Sequence, residues 1–180
     1  MKRVVITWGR FNPPTIGHQK LLEAVKRIAA GDDFFIYPTQ SQDKKKNPLN
    51  AKDKSDLMKK MFPSMRDNII YDPSLNTIIK VLQTLQGTYY DVTLVVGSDR
   101  LNAFKFVQKQ NEIDYTFREI EIVSAGERDP DAEGVEGMSA SKMRAAACQS
   151  DFQTFRSGIP NTVNDNDVKK LMDKIVDIML

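Results

Sequence analysis

Short apolar runs alternate with amphipathic stretches along residues 3–125 of the chain. The runs are rich in β-branched and aromatic residues, which is typical of strands, whereas the stretches carry apolar residues three and four positions apart, which is typical of helices. This alternation favours right-handed βαβ units, and therefore an α/β fold with a doubly wound parallel sheet and helices on both faces. Five strands are predicted, at residues 3–7, 34–38, 68–72, 92–97 and 118–125. Helices are predicted at about residues 17–30, 53–62, 75–86 and 98–107.

A different pattern begins after Ala125. Residues 125–137 are acidic and contain glycines, so they predict a loop. An alanine-rich helix follows, for which Ser139 or Ser141 can serve as the N-cap. Residues 165–180 carry an amphipathic stripe, which predicts a helix packed on the domain or on a partner subunit. We therefore predict a main domain over residues 1–150 and a C-terminal helical extension over residues 151–180, packed on the same domain.

Composition narrows the classes of function. A chain of 180 residues with 41% hydrophobic content suits one domain. Its 26 basic and 24 acidic residues leave a net charge of +2, which provides no global attraction for nucleic acid or a membrane, so any basic site is local. The single cysteine and the lack of a long apolar run argue against a disulfide framework, export and membrane insertion. We expect a soluble cytoplasmic protein. The sequence is compatible with a homo-oligomer as well as with a monomer.

The only histidine of the chain, His18, lies where the first strand gives way to the first helix, in the segment GRFNPPTIGHQKLL. Ligands of open α/β sheets bind beyond the carboxyl ends of the strands, which is where this loop falls. Gly9 permits a close approach of backbone to ligand, and the start of the helix favours an anion. An imidazole can donate a hydrogen bond to a phosphate oxygen. The alternative is a plain turn followed by a partly exposed histidine.

The same segment resembles a known signature. A strand followed by G-x-F-N-P, and then T-x-G-H opening a helix, resembles the HxGH nucleotidyltransferase superfamily, and GRFNPP is closest to its nicotinamide-nucleotide adenylyltransferase branch. Thr15 occupies the position of the first histidine of the motif. The phosphopantetheine adenylyltransferase branch shows the same substitution. The resemblance implies a Rossmann-like fold whose main domain is a nucleotidyltransferase domain. It also implies nucleotide-binding residues in this loop, namely Gly9, Arg10, Phe11, Asn12 and Gly17.

A second motif follows the fifth predicted strand. Residues 138–144, MSASKMR, resemble the superfamily's I-S-S-T-x-x-R segment. Serine hydroxyls, exposed N–H groups and an arginine at a helix N-terminus together suit the phosphates of a nucleoside triphosphate, which implies binding by Ser139, Ser141 and Arg144. A capped surface helix explains the serines but not the position of the arginine. The two motifs occur in the same order as in the superfamily, which argues against a chance resemblance.

Two weaker features complete the predicted site. Gly97 and Asp99 resemble the family's G-x-D segment after the fourth strand, where the carboxylate can bind a ribose hydroxyl; a plain helix cap at Ser98 is equally compatible. The run of lysines at residues 44–46 lies where the family often has a lysine near the reacting phosphates. A charge run is usually solvated, so only one lysine, Lys45 or Lys46, is expected in the site.

The resemblance implies a reaction without a covalent enzyme intermediate. A phosphate oxygen of an acceptor attacks the α-phosphorus of a nucleoside triphosphate, most simply ATP, and pyrophosphate leaves. His18 and a loop lysine act on the α-phosphate with help from the Thr15 hydroxyl, while Arg144 and Ser141 hold the leaving group.

The predicted partners are small molecules. Nicotinamide mononucleotide is the expected acceptor, which implies a role in NAD biosynthesis. Mg²⁺ is expected to arrive with the nucleotide, because no carboxylate cluster with metal-ligand spacing is evident. The alternatives are a cytidylyltransferase acting on a small phosphorylated alcohol and a non-catalytic nucleotide-binding module.

Overall fold

A four-stranded parallel sheet forms the centre of the structure, a computed structural model that describes residues 2–126 and 138–180. The strands are β1 (Arg3–Gly9), β2 (Asp33–Pro38), β3 (Asp91–Val96) and β4 (Glu119–Ser124), and they lie in the order β2-β1-β3-β4. Each neighbouring pair is parallel; Val5, for example, is paired with Phe34 of β2 on one side and with Thr93 of β3 on the other.

Helices cover both faces of this sheet, as predicted. Side chains alternate across a strand. Val4 and Ile6 therefore join one hydrophobic cluster with α3 (Ile78–Leu85), while Val5 packs on the opposite face against α1 (Ile16–Ala29). The other helices are α2 (Ala51–Met61), α4 (Phe106–Lys109), α5 (Ala140–Cys148), α6 (Phe152–Ser157) and α7 (Asp165–Met179), with short 3₁₀ helices at Pro63–Asn68, Ser98–Arg100 and Asn102–Phe104. In the two described ranges, no helix combines the length and the apolar character needed to cross a membrane.

The predicted strand at residues 68–72 is wrong. This segment forms only a single bridge, between Ile69 and Ile36 of β2, with one hydrogen bond from the Ile70 N–H to the Ile36 carbonyl at 2.9 Å. The 3₁₀ helix Pro63–Asn68 includes the first residue of the predicted strand and ends immediately before Ile69. Pro73 lacks an N–H for further pairing, and the Asp72 carboxylate instead accepts from Ser74 in a turn. The apolar run is therefore too short to extend the sheet.

The helix predicted at residues 98–107 and the loop predicted at residues 125–137 have different outcomes. Residues 98–107 form short 3₁₀ helices leading into one turn of α4, rather than the continuous helix that was predicted. The loop predicted at residues 125–137 lies outside the described residues, apart from Ala125 and Gly126.

The C-terminal helices share a hydrophobic cluster with α1 and α2. Val168, Met172 and Ile175 on the apolar stripe of α7 are buried in the same cluster as Leu22 of α1 and Met58 of α2. The division of the chain at residue 150 stays a prediction.

The strand order creates one point from which connections leave in opposite directions. β1 connects to β2 on one side, and β3 flanks β1 on the other. The loops that follow Gly9 and Val96 therefore diverge at the carboxyl ends of adjacent strands, which opens a crevice there.

Candidate active site

A cavity of about 820 Å³ occupies this crevice. Its walls come from the ends of β1 and β3, from the first turns of α1 and α5, and from the loop that follows β2. Twelve residues proposed from the sequence line it: Gly9, Arg10, Phe11, Asn12, Gly17, His18, Lys46, Gly97, Asp99, Ser139, Ser141 and Arg144. The two sequence motifs, more than 100 residues apart in the chain, therefore converge on one cleft.

The cleft is basic although the whole chain is nearly neutral. Among the residues that the structure describes, its lining contains five cationic side chains and two carboxylates, so the charge of this part of the cleft favours anionic ligands. Arg100 and Lys20 were not singled out from the sequence, although Arg100 directly follows the G-x-D segment. The guanidinium of Arg100 lies over the ring of Phe104, 5.6 Å from its centroid.

His18 is oriented by its own helix start. Its Nδ1 accepts the backbone N–H of Thr15 at 2.9 Å, which resembles the reciprocal contact of a capping box. Because Nδ1 is an acceptor, the proton of the neutral imidazole lies on Nε2, which makes Nε2 a hydrogen-bond donor. The ring of Phe11 packs edge-on against the imidazole, with centroids 5.0 Å apart.

Gly9 makes room for that aromatic ring. A Cβ at Gly9 would lie 2.9 Å from the Phe11 ring, closer than real contacts allow. Phe11 itself is buried and has a φ of 47°, in the left-handed region that non-glycine residues rarely adopt. The glycine therefore serves the packing of Phe11 as well as the approach of a ligand.

The side chain of Asn12 fixes the loop after β1 through two hydrogen bonds. Its side-chain amide donates to the Leu49 carbonyl at 2.9 Å and its Oδ1 accepts the Leu49 N–H at 2.8 Å. The residue is 1% exposed. Its amide therefore anchors the loop after β1 to the segment preceding α2, and only the remainder of Asn12 faces the cleft.

Arg144 joins the two motifs directly. Its guanidinium donates to the backbone carbonyl of Asn12 at 2.8 Å and to the Ser141 hydroxyl at 3.2 Å. Partial burial and the nearby charge of Arg10 lower the pKa of Arg144, while Asp43 opposes this shift. Two guanidinium groups that repel each other beside a cleft form a favourable place for a polyanion. The other motif serine, Ser139, caps α5 by accepting the Lys142 N–H.

Thr15 does not lie on the cleft wall. Its hydroxyl donates to the Met138 carbonyl at 2.8 Å, and the residue is fully buried. The neighbouring amide is also occupied, because the Ile16 N–H donates to the Gly158 carbonyl at 2.8 Å. The role predicted for the Thr15 hydroxyl at the α-phosphate does not fit this arrangement. Thr15 instead connects the start of α1 to the segment that leads into α5.

Gly17 is needed for the same close approach. A Cβ on Gly17 would lie 2.7 Å from the Met138 carbonyl oxygen, which belongs to the backbone and cannot rotate away. We expect Gly17→Ala to force the two motifs apart, to lower the free energy of unfolding by about 1–3 kcal/mol as overpacking does, and to weaken nucleotide binding. Thermal unfolding and ATP titration measure both effects. Gly31→Ala is a control away from the cleft: it should also lose stability, because Gly31 has a φ of 95°, but it should bind ATP as tightly as wild type. Equal ATP affinity in Gly17→Ala and wild type would contradict the expectation.

The lysine loop is organised by an aspartate. The Asp43 carboxylate accepts the backbone N–H groups of Lys45, Lys46 and Asn47, as well as the Asn47 side-chain amide. These hydrogen bonds, led by that of the Asn47 side chain, hold the pKa of Asp43 well below its usual range. Of the two lysines proposed, Lys46 lines the cleft. Lys45 is exposed and is not part of the lining.

The loop after β3 carries the G-x-D segment. Gly97, rather than Ser98, occupies the N-cap position of the 3₁₀ helix Ser98–Arg100, and no side chain caps it. A Cβ on Gly97 would lie 2.9 Å from Asp99 Oδ1, so the glycine allows the carboxylate to fold back. Asp99 is exposed on the cleft wall, where a carboxylate can accept hydrogen bonds from hydroxyl groups.

The sequence patterns did not single out Lys54, a lysine that is buried next to the cleft. Lys54 is 0% exposed, and its Nζ donates to the carbonyls of Arg10 and Thr39, each at 2.7 Å. Burial lowers the pKa of Lys54 to about 8. A signal was present, because Lys54 lies three positions after Ala51 and four before Met58, on the buried face of α2.

The described cleft offers no dedicated metal cage. Among residues 2–126 and 138–180, no three side chains of the His, Cys, Asp and Glu types come together as they would around a metal ion. Glu23 and Asp99 are the two carboxylates of the described lining.

Comparison with known proteins places this geometry in a wider group. Residues 6–146 match the model of a family described as cytidylyltransferase-like. No curated protein matches the sequence.

Solved structures share the fold along nearly the whole chain. Nicotinic acid mononucleotide adenylyltransferase of Plasmodium falciparum complexed with NaAD has a TM-score of 0.54 at 14% identity, covering 98% of this chain and 96% of that chain. The same protein complexed with APC has a TM-score of 0.61 at 15% identity, covering 96% and 98%. Thermotoga maritima TmcAL bound with alpha-thio ATP has a TM-score of 0.59 at 11% identity, covering 98% of this chain but 56% of that chain. At these identities the likeness is one of fold.

Proposed function

Because the chain belongs to the cytidylyltransferase-like family, within the HxGH nucleotidyltransferase superfamily, we propose that it transfers AMP from ATP to a phosphorylated acceptor and releases pyrophosphate. One observation carries the proposal. The two motifs converge on a single basic cleft and are joined by the hydrogen bonds from Arg144 to Asn12 and from Thr15 to Met138. A cleft of this charge suits a triphosphate and a second phosphorylated molecule.

In the proposed reaction an acceptor phosphate oxygen forms a bond to the α-phosphorus as the bond from that phosphorus to the bridging oxygen breaks. Pyrophosphate leaves with the electron pair, and no enzyme nucleophile is needed. The Nε2–H of His18 donates to an α-phosphate oxygen, where charge increases in the transition state. Lys46 adds a positive charge from the loop after β2.

Arg144 and Ser141 bind the leaving pyrophosphate in this proposal. A guanidinium matches two phosphate oxygens at once, which orients the leaving group in line with the attacking oxygen. Asp99 binds a ribose hydroxyl. Mg²⁺ would be part of the Mg–nucleotide substrate and would supply charge neutralisation at the phosphates.

Nicotinamide mononucleotide is the acceptor we propose. The GRFNPP opening supports it, and the Plasmodium falciparum neighbour is named for the adenylylation of a related mononucleotide. Trp8, partly buried on the cleft wall, offers an aromatic face for a pyridine ring.

The acceptor is tested by product analysis. With Mg²⁺ and equal ATP and CTP, we expect nicotinamide mononucleotide to yield NAD and pyrophosphate in preference to phosphopantetheine or a small phosphorylated alcohol. Chromatography of the product and a coupled pyrophosphate assay measure the outcome. Product formed with a different acceptor instead would contradict the proposal that nicotinamide mononucleotide is the acceptor, but it would still support a nucleotidyltransferase.

The assay also tests the two alternatives. The name of the matching family favours including CTP, because a cytidylyltransferase would consume CTP and leave ATP untouched. Nucleotide binding without pyrophosphate release for any acceptor would favour a non-catalytic binding module, in which Thr15 replaces a catalytic histidine.

A further inference from the structure

The buried ammonium of Lys54 contacts both loops that frame one side of the cleft. The Arg10 carbonyl belongs to the loop after β1, and Thr39 directly follows β2. A third contact reaches the Thr39 hydroxyl at 3.4 Å. The three ammonium hydrogens therefore have three oxygen partners, two of them backbone carbonyls from different loops.

No carboxylate neutralises this lysine among the described residues. Every ion pair of the described chain involves other cations, and all three oxygens around Nζ are uncharged. A buried charge without a counter-charge opposes folding, and an apolar side chain of similar volume often packs there without loss of stability. The contribution specific to an ammonium at this position is its simultaneous contact with the two loops.

Both loops carry cleft residues. Arg10 lies on the wall itself. The contact of Lys54 with the Arg10 carbonyl therefore restrains a residue that also carries one of the positive charges of the cleft. Thr39 and Ser41 also line the wall and lead into the loop of Lys46. Three further hydrogen bonds also join the end of β1 and its loop to the segment between β2 and α2: one from the Thr39 N–H to the Gly9 carbonyl at 2.8 Å, and the two between the Asn12 side chain and Leu49.

We propose that Lys54 is a positioning residue that ties the loop after β1 to the loop after β2 and so sets the placement of Arg10 and Lys46 around an anionic ligand. The effect on ligand binding rests on the proposed function. The tie itself does not, because it exists without a ligand.

The tie is tested by hydrogen exchange in the unliganded protein. Lys54→Met keeps an apolar stem of similar length and removes all three hydrogen bonds. We expect exchange to rise by about tenfold or more in peptides covering residues 9–12 and 38–41, the size expected when a charge-assisted hydrogen bond is lost. Met58→Ala, on the same buried face of α2, is the control; any rise there should be shared with β1 and β3 rather than confined to the two loops.

Ligand binding provides the second measurement. Under conditions where circular dichroism shows a folded protein, we expect Lys54→Met to weaken ATP binding by about tenfold by calorimetry, and Lys54→Arg to recover much of it, because a guanidinium can donate to both carbonyls. In turnover assays the KM for ATP should rise more than kcat falls. Met58→Ala should bind ATP with the wild-type Kd.

Two results would overturn the proposal: exchange in both loops that is unchanged in Lys54→Met or raised equally across the sheet, or wild-type ATP affinity in that variant. A wild-type protein that neither binds nor turns over ATP would instead overturn the proposed function, while the exchange experiment still decides on the tie. If Lys54→Met does not fold, Lys54→Gln, which retains a polar but shorter and uncharged donor, is measured in the same way.

Discussion

His18→Ala is expected to lower turnover by about 100-fold or more, the scale of losing one hydrogen-bond donor to a developing oxyanion. The Nε2–H is the group expected to act, since Nδ1 is already engaged by the Thr15 N–H at 2.9 Å. Initial rates of pyrophosphate release at saturating ATP and acceptor measure the loss.

Two further variants separate catalysis from helix capping. His18→Asn can keep an acceptor near the position of Nδ1 but lacks a donor near Nε2, so we expect near wild-type stability with low turnover. Gln is a standard capping-box residue at this helix position, so His18→Gln should also keep near wild-type stability, and its amide N–H group should recover part of the rate. Near wild-type turnover by His18→Ala would show that His18 has no catalytic role.

Arg144→Ala is expected to weaken ATP binding by about ten to a few hundred-fold, because a charge-assisted phosphate contact contributes roughly 1.5–3 kcal/mol. The structure adds a second reason. The Arg144 guanidinium also holds the Asn12 carbonyl, so its loss loosens the connection between the motifs. Isothermal titration with ATP, and with pyrophosphate as the leaving-group probe, measures the effect.

The controls for Arg144 test geometry and charge. Arg144→Lys keeps the charge but loses the planar guanidinium fork that matches two phosphate oxygens, so it should recover only part of the affinity. Arg27→Ala removes an exposed guanidinium from the far end of α1 and should leave the Kd unchanged. If Arg144→Ala bound both ligands as tightly as wild type, the second motif would have no part in phosphate binding.

Several parts of the fold and of the site followed from local patterns. The alternation of strands and helices predicted the parallel sheet with helices on both faces, which the structure confirms. The two motifs predicted the superfamily, which the family match confirms. Motifs of this kind are readable because a tight turn, a capped helix and a phosphate-binding arginine each impose residue types over a few consecutive positions.

Other parts were beyond local reasoning. The segment at residues 68–72 has the composition of a strand, but pairing requires a free sheet edge over several residues, and the flanking 3₁₀ helix and Pro73 leave room for one bridge. Asn12 and Thr15 belong to the first motif, yet their side chains bond to Leu49 and Met138, partners distant in the chain.

The sequence by itself determined the class of the fold, the family and the cleft residues that stand within the two motifs, because these depend on short-range periodicity and spacing. Only the tertiary structure decided which polar side chains face the cleft and which hold its walls. Lys54 is the clearest case: its position in α2 marks a buried face, but its role depends on two carbonyls that the packing of α2 brings to the same nitrogen. A hydrogen bond between distant segments cannot be predicted from the local sequence pattern, because the packing of the elements decides which groups become partners.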